Sequence, residues 1–229
     1  MANKIPKRLQ KIFNAFDKCK TCKNSKNPLR HVLGGGKFSR PQFLFIFINP
    51  THLNISSHKK YKGERRFPFM GVRHFYKFLS DVGFLDRRII EPMYKRGWKI
   101  EDEKKIEKSL RKHNVYLTNL VKCSQPHPLP PSKKAIQEQL PLLKREIQAV
   151  SPRHIVTFGK IPFETLTDQK ILLRDYLKKV RNNTYKPHKS INILGKQYDV
   201  LPSFFPLGHG NTPKAIEILK YIKKHRSYS

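Results

Sequence analysis

Apolar residues recur along this chain with two periods. Ile5, Leu9, Ile12, Phe13 and Phe16 follow one another at steps of three and four, with Pro6 in the first turn, and so share one face of a helix. Residues 43–48 (FLFIFI) form an unbroken apolar run between Pro41 and Pro50, the pattern of a central strand in a parallel sheet. Phe75, Phe78, Leu79 and Val82 predict a helix over 72–82 that stops at Gly83. Residues 115–121 predict another strand. Ser132 then caps a helix whose Ile136, Leu140, Leu143 and Ile147 make a stripe. Residues 154–158 predict a third strand, ended by Gly159 and followed by a helical stretch to residue 180. Residues 191–194 and 197–201 predict a hairpin around Gly195 and Lys196. Thr212 and Pro213 open a last helix with Ile216, Leu219 and Ile222 inward. Residues 34–36 (GGG) predict a loop. The charged stretch 86–113 predicts an excursion from the core with one surface helix.

Strands alternating with helices predict an α/β fold: a three-layer α/β/α sandwich around a central, mostly parallel sheet. With 229 residues and no internal repeat, the chain reads as a single domain over 1–229. In such sheets ligands sit beyond the carboxyl ends of the strands. The residues to watch are therefore Asn49 and Pro50, Asn119, and 202–211.

Composition adds a partner. Lys and Arg number 48 against 16 acids, a net charge of +32. An excess of that size repels itself in a compact chain and suits a polyanion. An anionic membrane surface is the lesser candidate, because the basic residues are spread along the sequence rather than gathered on one amphipathic stretch. No apolar run approaches the roughly 18 residues that span a bilayer, and the first residues lack an apolar leader core. The expectation is a cytoplasmic, monomeric protein that binds nucleic acid. Three cysteines, Cys19, Cys22 and Cys123, are too few and odd in number for a disulfide framework. Cys19-x-x-Cys22 has the spacing of a metal or cluster site if further ligands arrive from elsewhere.

Four separated segments fall into one order: FINPT at 47–51, FPFMG at 67–71, YLTNLVKC at 116–123, and PSFFPLGHGN at 202–211. This order resembles the uracil-DNA glycosylase superfamily, most closely its iron–sulfur, family 4-like branch. That branch carries a GEAPG-type turn, a PFVG segment, an ITNVVKC strand and a terminal HPS or HPA turn. PFMG and YLTNLVKC are the specific matches. The resemblance implies a glycosylase that flips uracil or another deaminated base out of single- or double-stranded DNA and hydrolyses its N-glycosidic bond. It implies that Asn49 orients water, Phe69 stacks on the base, Asn119 reads the base edge, and Ile48 and Pro50 line the base site. His209 would aid the leaving group or contact a phosphate. It also implies a [4Fe–4S] cluster on Cys19, Cys22 and Cys123.

The departures define the alternatives. FINPT lacks the flanking glycines and the acid of the family 4-like turn, and its INP core is closer to the mismatch-specific branch. If Pro206 matches the Pro of the HPS turn, Phe205 stands where the family 4-like branch has its leaving-group histidine. The position of the fourth cluster cysteine falls on Gln139, so the cluster needs a non-Cys fourth ligand, with His127 a candidate. Zinc, or no metal, are the other readings of the three cysteines. A catalytically weak or inactive nucleic-acid-binding protein on the same scaffold is the alternative to an enzyme. Lys59, Lys60, Lys62, Arg65, Arg66, Arg181, Lys186, His188 and Lys189 are candidate phosphate contacts.

Overall fold

The computed structural model describes residues 5–19, 31–51, 68–69, 72–97, 99–124, 129–184, 189–207 and 211–226. Among them, strand β1 (Gly35–Gly36) is followed by β2 (Phe43–Phe47), β3 (Val115–Asn119), β4 (His154–Phe158), β5 (Lys189–Ile193) and β6 (Lys196–Ser203). They form one six-stranded sheet in the order β1-β3-β2-β4-β6-β5. The four inner strands are parallel, and β1 and β5 pair antiparallel at the two edges. Among the described residues, eight helices complete the α/β/α sandwich: α1 (Lys7–Lys18), α2 (Arg73–Asp81), α3 (Arg87–Arg96), α4 (Ile100–Lys112), α5 (Lys133–Val150), α6 (Lys160–Thr167), α7 (Leu173–Arg181) and α8 (Thr212–Arg226).

The apolar spacing accounts for the layers. In α1, Leu9, Ile12, Phe13 and Phe16 are all buried, each contributing about 1.5–3 kcal/mol relative to exposure. This face packs against α5. Strands β2, β3 and β4 are buried at every position, as continuous apolar runs covered on both faces require. Ser132 caps α5 as expected, its Oγ accepting from the Ala135 N–H at 3.2 Å.

Two expectations need correction. Residues 86–113 carry two helices, and these belong to the core. Ile90 and Met93 of α3 and Ile106 and Leu110 of α4 are buried, and α4 packs on β1 and β3. The apolar face is narrow and completed by buried acids, Asp102, Glu103 and Glu107, so polar residues hide its period. Gly35 and Gly36 are likewise a two-residue edge strand opposite Leu117 and Tyr116 rather than a loop. No helix among the described residues is long and apolar enough to cross a membrane.

The chain steps from β2 to β3 on one side and then crosses to β4 on the other. The direction of winding reverses at β2, which opens a crevice beyond the carboxyl ends of β2 and β3.

Candidate active site

Asn119 is the last residue of β3 and pairs in register with Phe47, the last residue of β2. Side chains alternate along a strand, so in-register partners on parallel strands point to the same face. Asn119 and Phe47 therefore stand side by side at the carboxyl edge. Their strands stay joined beyond that point, Leu120 N–H donating to Phe47 O at 2.6 Å and Val121 N–H to Ile48 O at 3.0 Å. Asn119 is 2% exposed. An amide at this edge can both donate to and accept from a ligand that carries an acceptor and a donor on one side.

Phe47 is the centre of an aromatic wall. It stacks on Phe158 at 4.4 Å between ring centroids and meets the edges of Phe75 at 5.2 Å and Phe69 at 4.6 Å. Phe69 is half-buried and lies flat on Phe75 at 3.7 Å. One of its faces is thus taken by Phe75, while the ring as a whole keeps some exposure. Its backbone has φ of 62°, a left-handed conformation uncommon for a bulky residue and frequent at ligand clamps. The flanks hold it there: Tyr76 Oη donates to Pro68 O at 2.6 Å, and Val72 N–H donates to Phe69 O at 3.0 Å.

Asn49 lies one residue beyond the end of β2 and is partly buried. Its Nδ2 donates to Pro50 O at 3.2 Å and to Leu129 O at 3.4 Å. With the nitrogen committed, Oδ1 is left as an acceptor. Pro50 is buried and Ile48 half-buried beside it. Phe205 reaches the same edge, its ring 6.4 Å from Phe47 and nearly perpendicular to it. The position that the family 4-like pattern gives to histidine thus carries an apolar edge here. His209 lies outside the described residues, as do Cys22, His127, Lys59, Lys60, Lys62, Arg65, Arg66, Lys186 and His188. Arg181 is engaged elsewhere, its Nε and Nη2 on Glu217 at 2.8 and 3.0 Å.

Behind Asn119 lies a polar cluster that the sequence reading missed. Lys122 and Glu146 are both 0% exposed and form an ion pair at 2.7 Å. Lys122 Nζ also donates to Asn119 O at 2.8 Å and to Thr118 Oγ1. Glu146 Oε1 accepts from Tyr116 Oη at 2.7 Å and Thr118 Oγ1 at 2.9 Å. Burial pushes the Lys122 ammonium below its usual value while Glu146 pulls it back up. Burial and then the Glu146 carboxylate push the Tyr116 phenol far up. Gly34 passes directly over this cluster: a Cβ there would overlap Tyr116 Oη and Glu146 Oε1. The signal in the sequence was a lone glutamate set within the apolar stripe of α5.

The cysteine region is only partly described. Cys19, at the end of α1, and Cys123, after β3, converge on Gln139 of α5. Gln139 Nε2 lies 3.0 Å from Cys123 Sγ and 3.7 Å from Cys19 Sγ, while its Oε1 accepts from Lys122 N–H at 2.7 Å. A backbone N–H can only donate, so the amide oxygen must face Lys122 and the NH2 group must face the sulfurs. Gln139 therefore turns no lone pair toward the two sulfurs, and Cys123 is disulfide-bonded. The described residues hold no group of three or more His, Cys, Asp or Glu that could bind a metal ion.

The sequence profile of the uracil DNA glycosylase superfamily matches residues 58–215. The chain is 26% identical over 212 residues to a type-4 uracil-DNA glycosylase of Saccharolobus solfataricus, covering 93% of this chain and 82% of that protein. It is 27% identical over 97 residues to a type-4 uracil-DNA glycosylase of Pyrobaculum aerophilum, 42% of this chain and 47% of the relative. A third, from Archaeoglobus fulgidus, is 24% identical over 116 residues, 51% of this chain and 56% of the relative.

Proposed function

The chain belongs to the uracil DNA glycosylase superfamily, and from that premise we propose that it is a DNA-repair glycosylase that hydrolyses the N-glycosidic bond of uracil, or of another deaminated base, flipped out of DNA. The observation that carries this reading is the placement of Asn119, the last residue of β3, in register with Phe47 and its aromatic wall at the carboxyl edge of the sheet. An amide both donates and accepts, which matches the O4 and N3–H edge of uracil. Phe69 offers a ring surface to the base, and Ile48 and Pro50 supply apolar walls. Asn49 Oδ1 accepts a hydrogen bond from water and aims its oxygen at C1′. The C1′–N1 bond breaks with its electron pair going to the base, the water oxygen bonds to C1′, and the water proton leaves to solvent. An amide is no base, so Asn49 contributes position rather than proton abstraction. His209 would stabilise the departing anion or hold a phosphate. The enzyme would act as a cytoplasmic monomer.

The test is incubation with a uracil-containing single strand, then alkali. The wild type should give scission at the uracil. Asn119→Ala should lose about 100-fold or more in kcat/KM with an unchanged circular dichroism spectrum. Full activity in that variant would refute the base-reading role.

Phe205 favours a second reading, a DNA-binding protein on this scaffold with weak or lost catalysis, because an apolar ring cannot donate to a leaving group. Binding of the uracil strand by the wild type without scission would select it.

A further inference from the structure

Residue 119 is clamped from behind. Side chains alternate along β3, so Tyr116 and Thr118 point to one face of the sheet and Asn119 to the other. Glu146 of α5 closes the first face, its Oε1 accepting from Tyr116 Oη at 2.7 Å and from Thr118 Oγ1 at 2.9 Å. Lys122 reaches back to that face from beyond the strand. It pairs with Glu146 at 2.7 Å and donates through Nζ to Thr118 Oγ1 and, at 2.8 Å, to Asn119 O. The peptide group after Asn119 is thus held at both ends, its oxygen by Lys122 and its N–H, that of Leu120, by Phe47 O at 2.6 Å. A peptide group is planar, so fixing it fixes ψ of Asn119 and the direction in which the side chain leaves the strand. A buried ion pair is a poor way to add stability, since apolar residues of similar volume often do as well or better. Lys122 and Glu146 are both 0% exposed, so each of their bonds is electrostatically stronger than it would be in water. What the pair delivers is geometry.

We propose that Lys122, held by Glu146, is a positioning residue for base recognition: it sets the backbone of Asn119 so that the amide meets the crevice in one orientation, and it never touches the base. This role rests on the reading of Asn119 as the residue that meets the base edge. Displacing a recognition group by about 1 Å costs on the order of 100-fold in rate, so the clamp governs turnover from the opposite face of the sheet.

The test compares the full-length wild type with Lys122→Met and with Lys122→Met combined with Glu146→Gln, under conditions in which each is fully folded. The double change removes the stranded charge and so recovers stability, but it still leaves Asn119 O without its cationic donor. Its kcat/KM on a uracil-containing strand should therefore stay about 10–100-fold down, like that of the single variant. Affinity for the same strand without uracil, carried by phosphate contacts, should change by less than about twofold. Amide hydrogen exchange at Leu120 and Val121, which donate to Phe47 O and Ile48 O, should quicken more than exchange in β4. A folded double variant with wild-type kcat/KM would overturn the proposal and leave Lys122 a purely structural residue. A wild type that cuts no uracil strand would refute the glycosylase reading instead, and exchange then decides alone. Unchanged protection at Leu120 and Val121 in both variants overturns the clamp, and faster exchange confined to them upholds it.

Discussion

Asn119 and Lys122 are three residues apart and stand in opposite situations. Asn119 faces the same side of the sheet as Phe47 at the carboxyl edge, whereas Lys122 is buried with its ammonium fully engaged by Glu146, Thr118 and Asn119 O. Removing one member of a buried pair strands the other, so Lys122→Met should cost about 3–5 kcal/mol in urea unfolding. Lys122→Met with Glu146→Gln should cost clearly less than the single change. A neutral amide needs no counter-charge, yet its oxygen still accepts from Tyr116 and Thr118. An equal loss in both would show that the charge pairing is irrelevant. At this scale the sequence spoke unevenly. Asn119 and Phe69 stood out in the sequence because they sit in motifs of unusual order, and the structure places both beside Phe47. Glu146 was not, because a single acid among Leu143, Ile147 and Val150 looks like the polar border of a stripe until Lys122 is seen to reach it. Gly34 was read as loop because nothing in the sequence says that Tyr116 and Glu146 meet beneath it.

The helices over 86–113 show what composition conceals in an element. Asp102 is buried, takes Arg96 Nη2 at 2.6 Å and Nη1 at 3.0 Å, and caps α4 by accepting from Lys99 N–H at 2.9 Å. Burial opposes its ionisation, but the Arg96 fork and the capped N–H prevail and hold its carboxyl below the ordinary 3.8. A depressed folded pKa stabilises fully above the unfolded value and loses that contribution as pH falls through the folded one. Asp102→Asn should therefore cost about 1 kcal/mol at neutral pH, and the gap from wild type should narrow in melts run below the ordinary 3.8. A gap that stays constant through acid would remove the charge from the account. The strands and the amphipathic helices α1, α5 and α8 were legible because burial there is apolar. Helix α4 was not, because its inward face is shared between Ile106, Leu110 and three acids.

For the whole molecule, +32 is a strong constraint on what it binds. If roughly 6–10 phosphates are contacted, DNA affinity should fall by about 10³–10⁵ between roughly 50 and 200 mM salt, measured by fluorescence anisotropy. A shallow slope would mean that most of the charge is bystander, as Arg181 on Glu217 already is. The three-layer architecture was legible because alternating elements admit few topologies, and the carboxyl-edge crevice followed from it. The chemistry of the cysteine site was less so, since which way an amide points depends on a partner across the fold. Pairing of Phe47 with Asn119 has a last consequence. Sliding β3 by one residue would turn its amide to the opposite side of the sheet and bring Thr118 or Leu120 to the crevice instead. If Asn119 reads the base as proposed, recognition is digital, tied to a single strand alignment, and distant core damage that loosens this alignment should silence the protein rather than broaden its choice of base.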